Sequence, residues 1–159
     1  MLRCTARLLK LLGPPTLGVG DPSPTDWYAN LVWVQGRKCL LVTHAGTLFS
    51  VFAPDVRVAD LRLLGGFLVP RIADQLRAEG FEEDALGELD AAATTIAKTA
   101  DRRVLGCMTD QALLCEFTAA DSGGLDRLDM VDLHRHLQRN LLSARGYVPA
   151  VELVADWRR

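Results

Sequence analysis

Apolar positions crowd into residues 27–54, WYANLVWVQGRKCLLVTHAGTLFSVFAP, where they form three blocks separated by short breaks. Residues 27–35 are aromatic and branched and stop at Gly36-Arg37; residues 38–44 stop at Ala45-Gly46; residues 47–52 stop before Pro54. Strand formers bounded by Gly-containing breaks predict a meander of hairpins. The runs Leu31-Val32-Trp33-Val34 and Cys39-Leu40-Leu41-Val42 are nearly continuous in apolar side chains. Neighbouring side chains on a strand point to opposite faces, so both faces of this sheet are expected to be covered.

Around that block the pattern alternates between short strands and helices. Residues 2–5 read as a strand, with Thr5 placed to cap a helix over 6–12 that ends at Gly13-Pro14-Pro15. Residues 13–26, rich in Gly, Pro, Ser and Thr, read as a loop. Asp60 is placed to cap a single turn over 61–64, before Gly65-Gly66. In residues 67–79, Leu68, Ile72 and Leu76 recur at i, i+4 and i+8, predicting a helix with Pro70 in its first turn and Gly80 past its end. Residues 81–89 read as a second, acidic helical piece, and 94–99 as a strand joining the sheet. A helix is predicted from Arg103 or Val104 to about 118, with Leu105, Met108, Ala112 and Cys115 inward, and another over 125–142 on Met130, Leu133, Leu137 and Leu141. A terminal turn or two is expected over 151–157. The resulting expectation is one α+β domain over 1–159: a small, mainly antiparallel sheet, built from the meander at 27–53 and strands near 2–5 and 94–99, covered by helices.

Bulk numbers remove some function classes. With 49% hydrophobic and 24% charged residues the chain can build a core without staples. A formal charge of −2 gives no global electrostatic case for nucleic acid. The four cysteines, Cys4, Cys39, Cys107 and Cys115, form no C-x-x-C pair and sit in apolar runs, which favours buried thiols and a reducing, cytoplasmic compartment. No apolar run reaches the roughly 18 residues a membrane span needs, and the basic N-terminal run is not that of a signal peptide.

Candidate chemistry is sparse. His134 and His136 form H-x-H, but on a helix two residues apart point about 200° apart, so the expectation is an inward His134, an exposed His136 and no metal site. The segment KTADRR places Lys98, Arg102 and Arg103, with Thr99, at a strand-to-helix turn, where helix amides and guanidinium groups together suit an anion. Arg37 and Lys38 form a second basic pair in the first hairpin turn. Brought together and flanked by Trp27 and Tyr28, the clusters would make a patch for phosphate or a single strand. Solvated charges at turns explain the same residues more plainly. No cofactor is implied.

Four blocks, MLRCTARLLKLLG, DWYANLVWVQGRKCLLVTHAGTLFSVFAPDVRVADL, AKTADRRVLGCMTD and LLSARGYVPAVEL, give the chain a resemblance to a set of short bacterial proteins grouped as a domain of unknown function. The resemblance implies a stand-alone bacterial cytoplasmic protein and carries over no activity.

Two functions follow as expectations. One is a non-catalytic interaction module whose partner is a macromolecule, a protein rather than nucleic acid. The other is an enzyme on a phosphate-containing substrate, RNA or a nucleotide, with Lys98, Arg102 and Arg103 on phosphate and His44 or Asp110 handling protons. The enzyme requires a concave pocket that holds Lys98 or Arg102 with His44 or Asp110 within about 8 Å.

Overall fold

The computed structural model describes residues 1–13 and 16–157. Pro14 and Pro15, expected to end the first helix, lie outside the described residues. Five strands, β1 (Leu2–Cys4), β2 (Trp27–Val34), β3 (Arg37–His44), β4 (Ser50–Ala53) and β5 (Ile96–Lys98), form one sheet in the order β4-β3-β2-β1-β5. The meander is present: Trp27 pairs with His44 and Val34 with Arg37, and Leu40 pairs with Ala53. The sheet as a whole is mixed, because β1 runs parallel to both β2 and β5. The chain leaves β1 into the helix α1 (Ala6–Leu12) and crosses before re-entering at Trp27, and such a crossover delivers a parallel neighbour where a tight turn cannot.

Helices cover both faces. Alternation puts Leu2, Cys4, Trp27, Leu31, Leu40 and Val42 on one side, against Leu8 of α1, Leu61 of α2 (Val58–Arg62), Leu68, Ile72 and Leu76 of α3 (Leu64–Ala78), and Val154 of α6 (Ala150–Asp156). Tyr28, Val32, Val34, Cys39, Leu41 and Phe52 face the other way, against Val104, Met108 and Cys115 of α4 (Arg102–Asp121) and Leu133 and Leu137 of α5 (Met130–Arg139). All four cysteines are buried free thiols, and burial pushes Cys4 and Cys115 up to about 12.

Several boundaries depart from the sequence reading, each for a local reason. β4 starts at Ser50 rather than Thr47, because residues 44–49 close on themselves: His44 N–H donates to Phe49 O (2.9 Å) and Leu48 N–H to His44 O (2.8 Å), with Leu48 at φ 59°. Gly65 and Gly66 fall inside α3 rather than before it. A Cβ on Gly65 would lie 2.6 Å from Ala91 O, so that glycine serves close packing. Pro70 is therefore in the helix interior; Gly66, whose carbonyl loses its amide partner, is exposed and water can take over. Residues 81–89 make successive turns instead of a helix, with Gly87 N–H bonded to Asp84 O and Gly87 at φ 97°. The long helix expected over 125–142 breaks at Leu128-Asp129, where the Asp129 carboxylate accepts from Val131 N–H (3.0 Å) and Asp132 N–H (3.1 Å) and so starts α5.

The outer edge of β4 is closed by side chains. Gln138 accepts from Ser50 N–H (3.0 Å) and donates to Ser50 O (2.5 Å), and one turn earlier His134 Nε2 accepts from Phe52 N–H (3.0 Å). Two residues at i, i+4 on α5 thereby occupy backbone positions that a further strand would take, protecting the edge. The His134 ring is fixed as the Nδ1–H tautomer, donating to Met130 O (2.8 Å). Burial holds its pKa below the usual 6.5, and burial with the nearby Arg145 charge takes His44 to about 3. Both rings thus prefer to be neutral in the folded state, and the unfolded chain binds protons more readily below about pH 6.5. Stability is accordingly expected to be full above that pH and to fall as acid is added. Urea midpoints between about pH 7.5 and pH 5 measure this; a His134→Gln variant, which can still accept from Phe52, should show a shallower fall.

Candidate functional site

The start of α4 is already occupied by the chain's own carboxylate. Asp101 accepts from Arg103 N–H (2.8 Å) and Val104 N–H (3.5 Å), and Asp101 N–H donates to the Tyr28 hydroxyl (3.2 Å). An incoming anion would meet a carboxylate where sequence reasoning expected open amides. Lys98 ends β5 with an exposed side chain, Thr99 is half-buried, and Arg102 and Arg103 point to solvent.

The second basic pair is far from the first. Lys98 is level with Cys4 and hence with Ala29, whereas Arg37 opposes Val34, five residues further along β2. At about 3.3 Å per residue and about 4.8 Å per strand, the two clusters are some 16 Å apart along the strands and three strands apart across them. Arg37 is also committed to Asp55 and to Asp126 (2.7 Å). Lys38 is half-buried beside it, opposite Trp33. Trp27 and Tyr28 are 1% and 0% exposed and offer no stacking surface. The composite patch is therefore not assembled, because the pairing register of the sheet separates its parts.

The two proton-handling candidates part company: His44 is sealed in the core, and Asp110 lies on α4 with the arginines. His44 has no exposed surface; its Nδ1 meets the Thr47 hydroxyl (3.0 Å) and N–H (3.3 Å), and its ring packs at 5.0 Å from Trp27 and 4.8 Å from Trp157. Arg145 holds the neighbouring Ala45 and Gly46 carbonyls. A Cβ on Gly46 would overlap the Trp157 ring and approach Pro24 O to 2.7 Å. Gly46→Ala is therefore expected to displace Trp157 from His44 and to cost about 1–3 kcal/mol, read from urea unfolding with tryptophan emission as the probe. Asp110 does share an open concavity of about 610 Å³ with Arg102, Arg103, Gly106, Cys107 and Ser143. Arg102 and Asp110 are eight positions apart on the helix, about 12 Å along the axis. Cys107 beside them is buried, and burial raises its thiol pKa, which is the opposite of nucleophile activation.

A cavity of about 480 Å³ lies between α3 and the turns at 83–90, with Trp27, Ile72, Leu76 and Leu86 in its wall. Its carboxylates are partly engaged: Glu83 takes Arg77 Nε (2.7 Å), and Asp90 accepts from Ala92 N–H (2.8 Å) and Ala93 N–H (3.3 Å). Among the described residues no group of three or more His, Cys, Asp and Glu is placed to hold a metal ion, and no helix is long and apolar enough to cross a membrane.

What sequence reasoning passed over is the outer face of α4. Its inner face buries Val104, Met108, Gln111, Cys115 and Ala119. On the opposite face Phe117 is 65% exposed and Leu113 46%, with Gly106, Thr109 and Ala120 beside them. At 3.6 residues per turn positions 102, 106, 109, 113, 117 and 120 share one face. The signal was legible as a pair of large apolar residues at i, i+4 lying outside the stripe assigned to the core.

By fold and site the chain is an α+β protein with a five-stranded mixed sheet between two helical layers and an apolar outer helix face. Residues 1–153 match the family model described as Domain of unknown function (DUF6933), and the chain belongs to that family. No curated protein and no solved structure matches it.

Proposed function

We propose that the protein is a non-catalytic interaction module, a bacterial cytoplasmic accessory protein folded as one domain over 1–159, that docks another protein through the outer face of α4. The observation that carries this is the pair Leu113 and Phe117, large apolar side chains held out in water on a rigid twenty-residue helix. Aromatic side chains on an outward helix face are what interface anchors are made of. Asp110, Glu116 and Asp121, exposed around them, disfavour a phosphate backbone as the partner. The phosphate-enzyme reading is the weaker one, since Asp101 fills the helix start and His44 is sealed in the core.

A photo-crosslinking phenylalanine analogue placed at Leu113 in living cells tests the reading. Crosslinks to protein are expected from that position and not from the still more exposed Val131 on α5. Equal or absent crosslinking at the two positions would remove α4 as the docking face.

A further inference from the structure

Resting on the α4 reading, we infer that the partner on this face is a second copy of the same chain, packed with the two α4 helices antiparallel about a two-fold axis near Gln111-Ala112. The inference comes from the self-complementary order of side chains along the helix. Its N-terminal end carries Arg102 and Arg103, and its C-terminal half Glu116 and Asp121, all exposed; the exposed Asp110 between them falls opposite Leu113 and stays at the rim of the contact. Turning a second helix end over end about its middle sets Arg102 opposite Asp121 and Phe117 opposite Gly106. A two-fold interface requires that reciprocity: what one residue does to its opposite, the opposite residue does in return.

Shape agrees with charge. A Cβ added to Gly106 would meet nothing within 4 Å, and Gly106 lines the open concavity of about 610 Å³ together with Arg102, Thr109, Asp110 and Ala144. Phe117 is the largest exposed side chain on the helix and arrives at that concavity from the other copy. Each copy supplies one knob and one hollow. Antiparallel helices crossing at about 20° stay close enough over twenty residues for the arginines and acids at their ends to meet. Antiparallel docking also sets each positive helix end beside the partner's negative end.

Size fixes the expected strength. A twenty-residue helix is about 30 Å long and about 10 Å wide, less than the roughly 800 Å² per partner of a standard stable interface. The dimer should therefore be weak and concentration-dependent, of the transient kind that small interfaces form. Its end-to-end ion pairs should make it weaken as salt is raised.

Sedimentation of the purified full chain up to about 100 µM, at low and high salt, measures this directly. The wild type is expected to dimerise, and Phe117→Glu, at an exposed position that leaves the fold intact, to weaken the dimer by more than about tenfold. The double variant Arg102→Glu/Arg103→Glu and the double variant Glu116→Lys/Asp121→Lys should each self-associate poorly, while an equimolar mixture should recover the dimer. A wild type that stays monomeric at the highest concentration overturns the second copy as occupant; if Leu113 still crosslinks to a different protein in cells, the docking face itself survives. A dimer indifferent to Phe117→Glu, or a mixture that recovers nothing, overturns the antiparallel arrangement.

Discussion

Replacing Arg3 with methionine is expected to cost about 3–5 kcal/mol, a large share of the roughly 5–15 kcal/mol that holds an ordinary domain folded. Arg3 is only 3% exposed, and its guanidinium makes four hydrogen bonds. Its Nε donates to Asp26 (2.5 Å), Nη1 to Lys98 O (3.1 Å), and Nη2 to Gly20 O (3.0 Å) and Asp21 O (2.8 Å). One side chain on β1 thus ties the end of β5 and the whole 20–26 approach to β2. Methionine fills the stem but leaves the charged Asp26, itself 3% exposed, with only the N-terminal ammonium (3.5 Å) and the Ser23 N–H (3.0 Å) to hold it. Burial alone would raise the Asp26 pKa; the bond from Arg3 and the Ser23 N–H outweigh it and hold the carboxyl below its usual range. A carboxylate whose folded pKa is depressed contributes stability above its unfolded pKa of about 3.9 and loses it as pH falls through the folded value. Arg3→Met should therefore lose most at neutral pH and approach the wild type in strong acid. Urea unfolding across that range reads both effects, and an equal loss at every pH would show that packing, not the ion pair, was removed.

Gln138→Leu is expected to be the next most damaging change, at about 2–4 kcal/mol. Leucine has nearly the same volume, so no cavity forms, and the helix propensity of α5 is not reduced. What is lost is the pair of bonds to Ser50 N–H and O, both deep under α5 where water cannot replace them. Ser50 also holds the buried Thr43 (2.8 Å) and Gln111 (2.9 Å) side chains, so disorder at one position reaches α4. Hydrogen exchange at Ser50 and Phe52 amides gives the sharper test: both should be protected in the wild type and exchange faster in the variant. Unchanged protection would mean that packing alone secures this edge.

Residues 27–53 were legible because strand chemistry, short turns and apolar continuity all agreed there. The direction of β1 was not legible, since nothing in three residues distinguishes a parallel from an antiparallel partner; the crossover through α1 decides it. Gly65-Gly66 read as punctuation because composition cannot show that Ala91 O sits where a side chain would go. The acidic run at 82–84 looked like a helix start, yet Glu83 is drawn to Arg77 across the turn. For the candidate site, Lys98, Arg102 and Arg103 are exposed and Arg37 and Lys38 half-buried; how far apart they lie depends on strand register, and that Asp101 would take the amides at the start of α4 was not legible either. His134 was legible as inward-facing; that it would serve as a backbone acceptor for a strand eighty-two residues away was not.

The closure of β4 by α5 has a consequence for biosynthesis. Ser50 leaves the ribosome eighty-eight residues before Gln138 does. At about 5–20 residues per second, the nascent chain carries a bare hydrogen-bonding edge for roughly 4 to 18 s before its cover exists. A transcript truncated ahead of α5 would release that half-built sheet permanently, and such fragments should be found bound to chaperones or in inclusion bodies rather than in the supernatant.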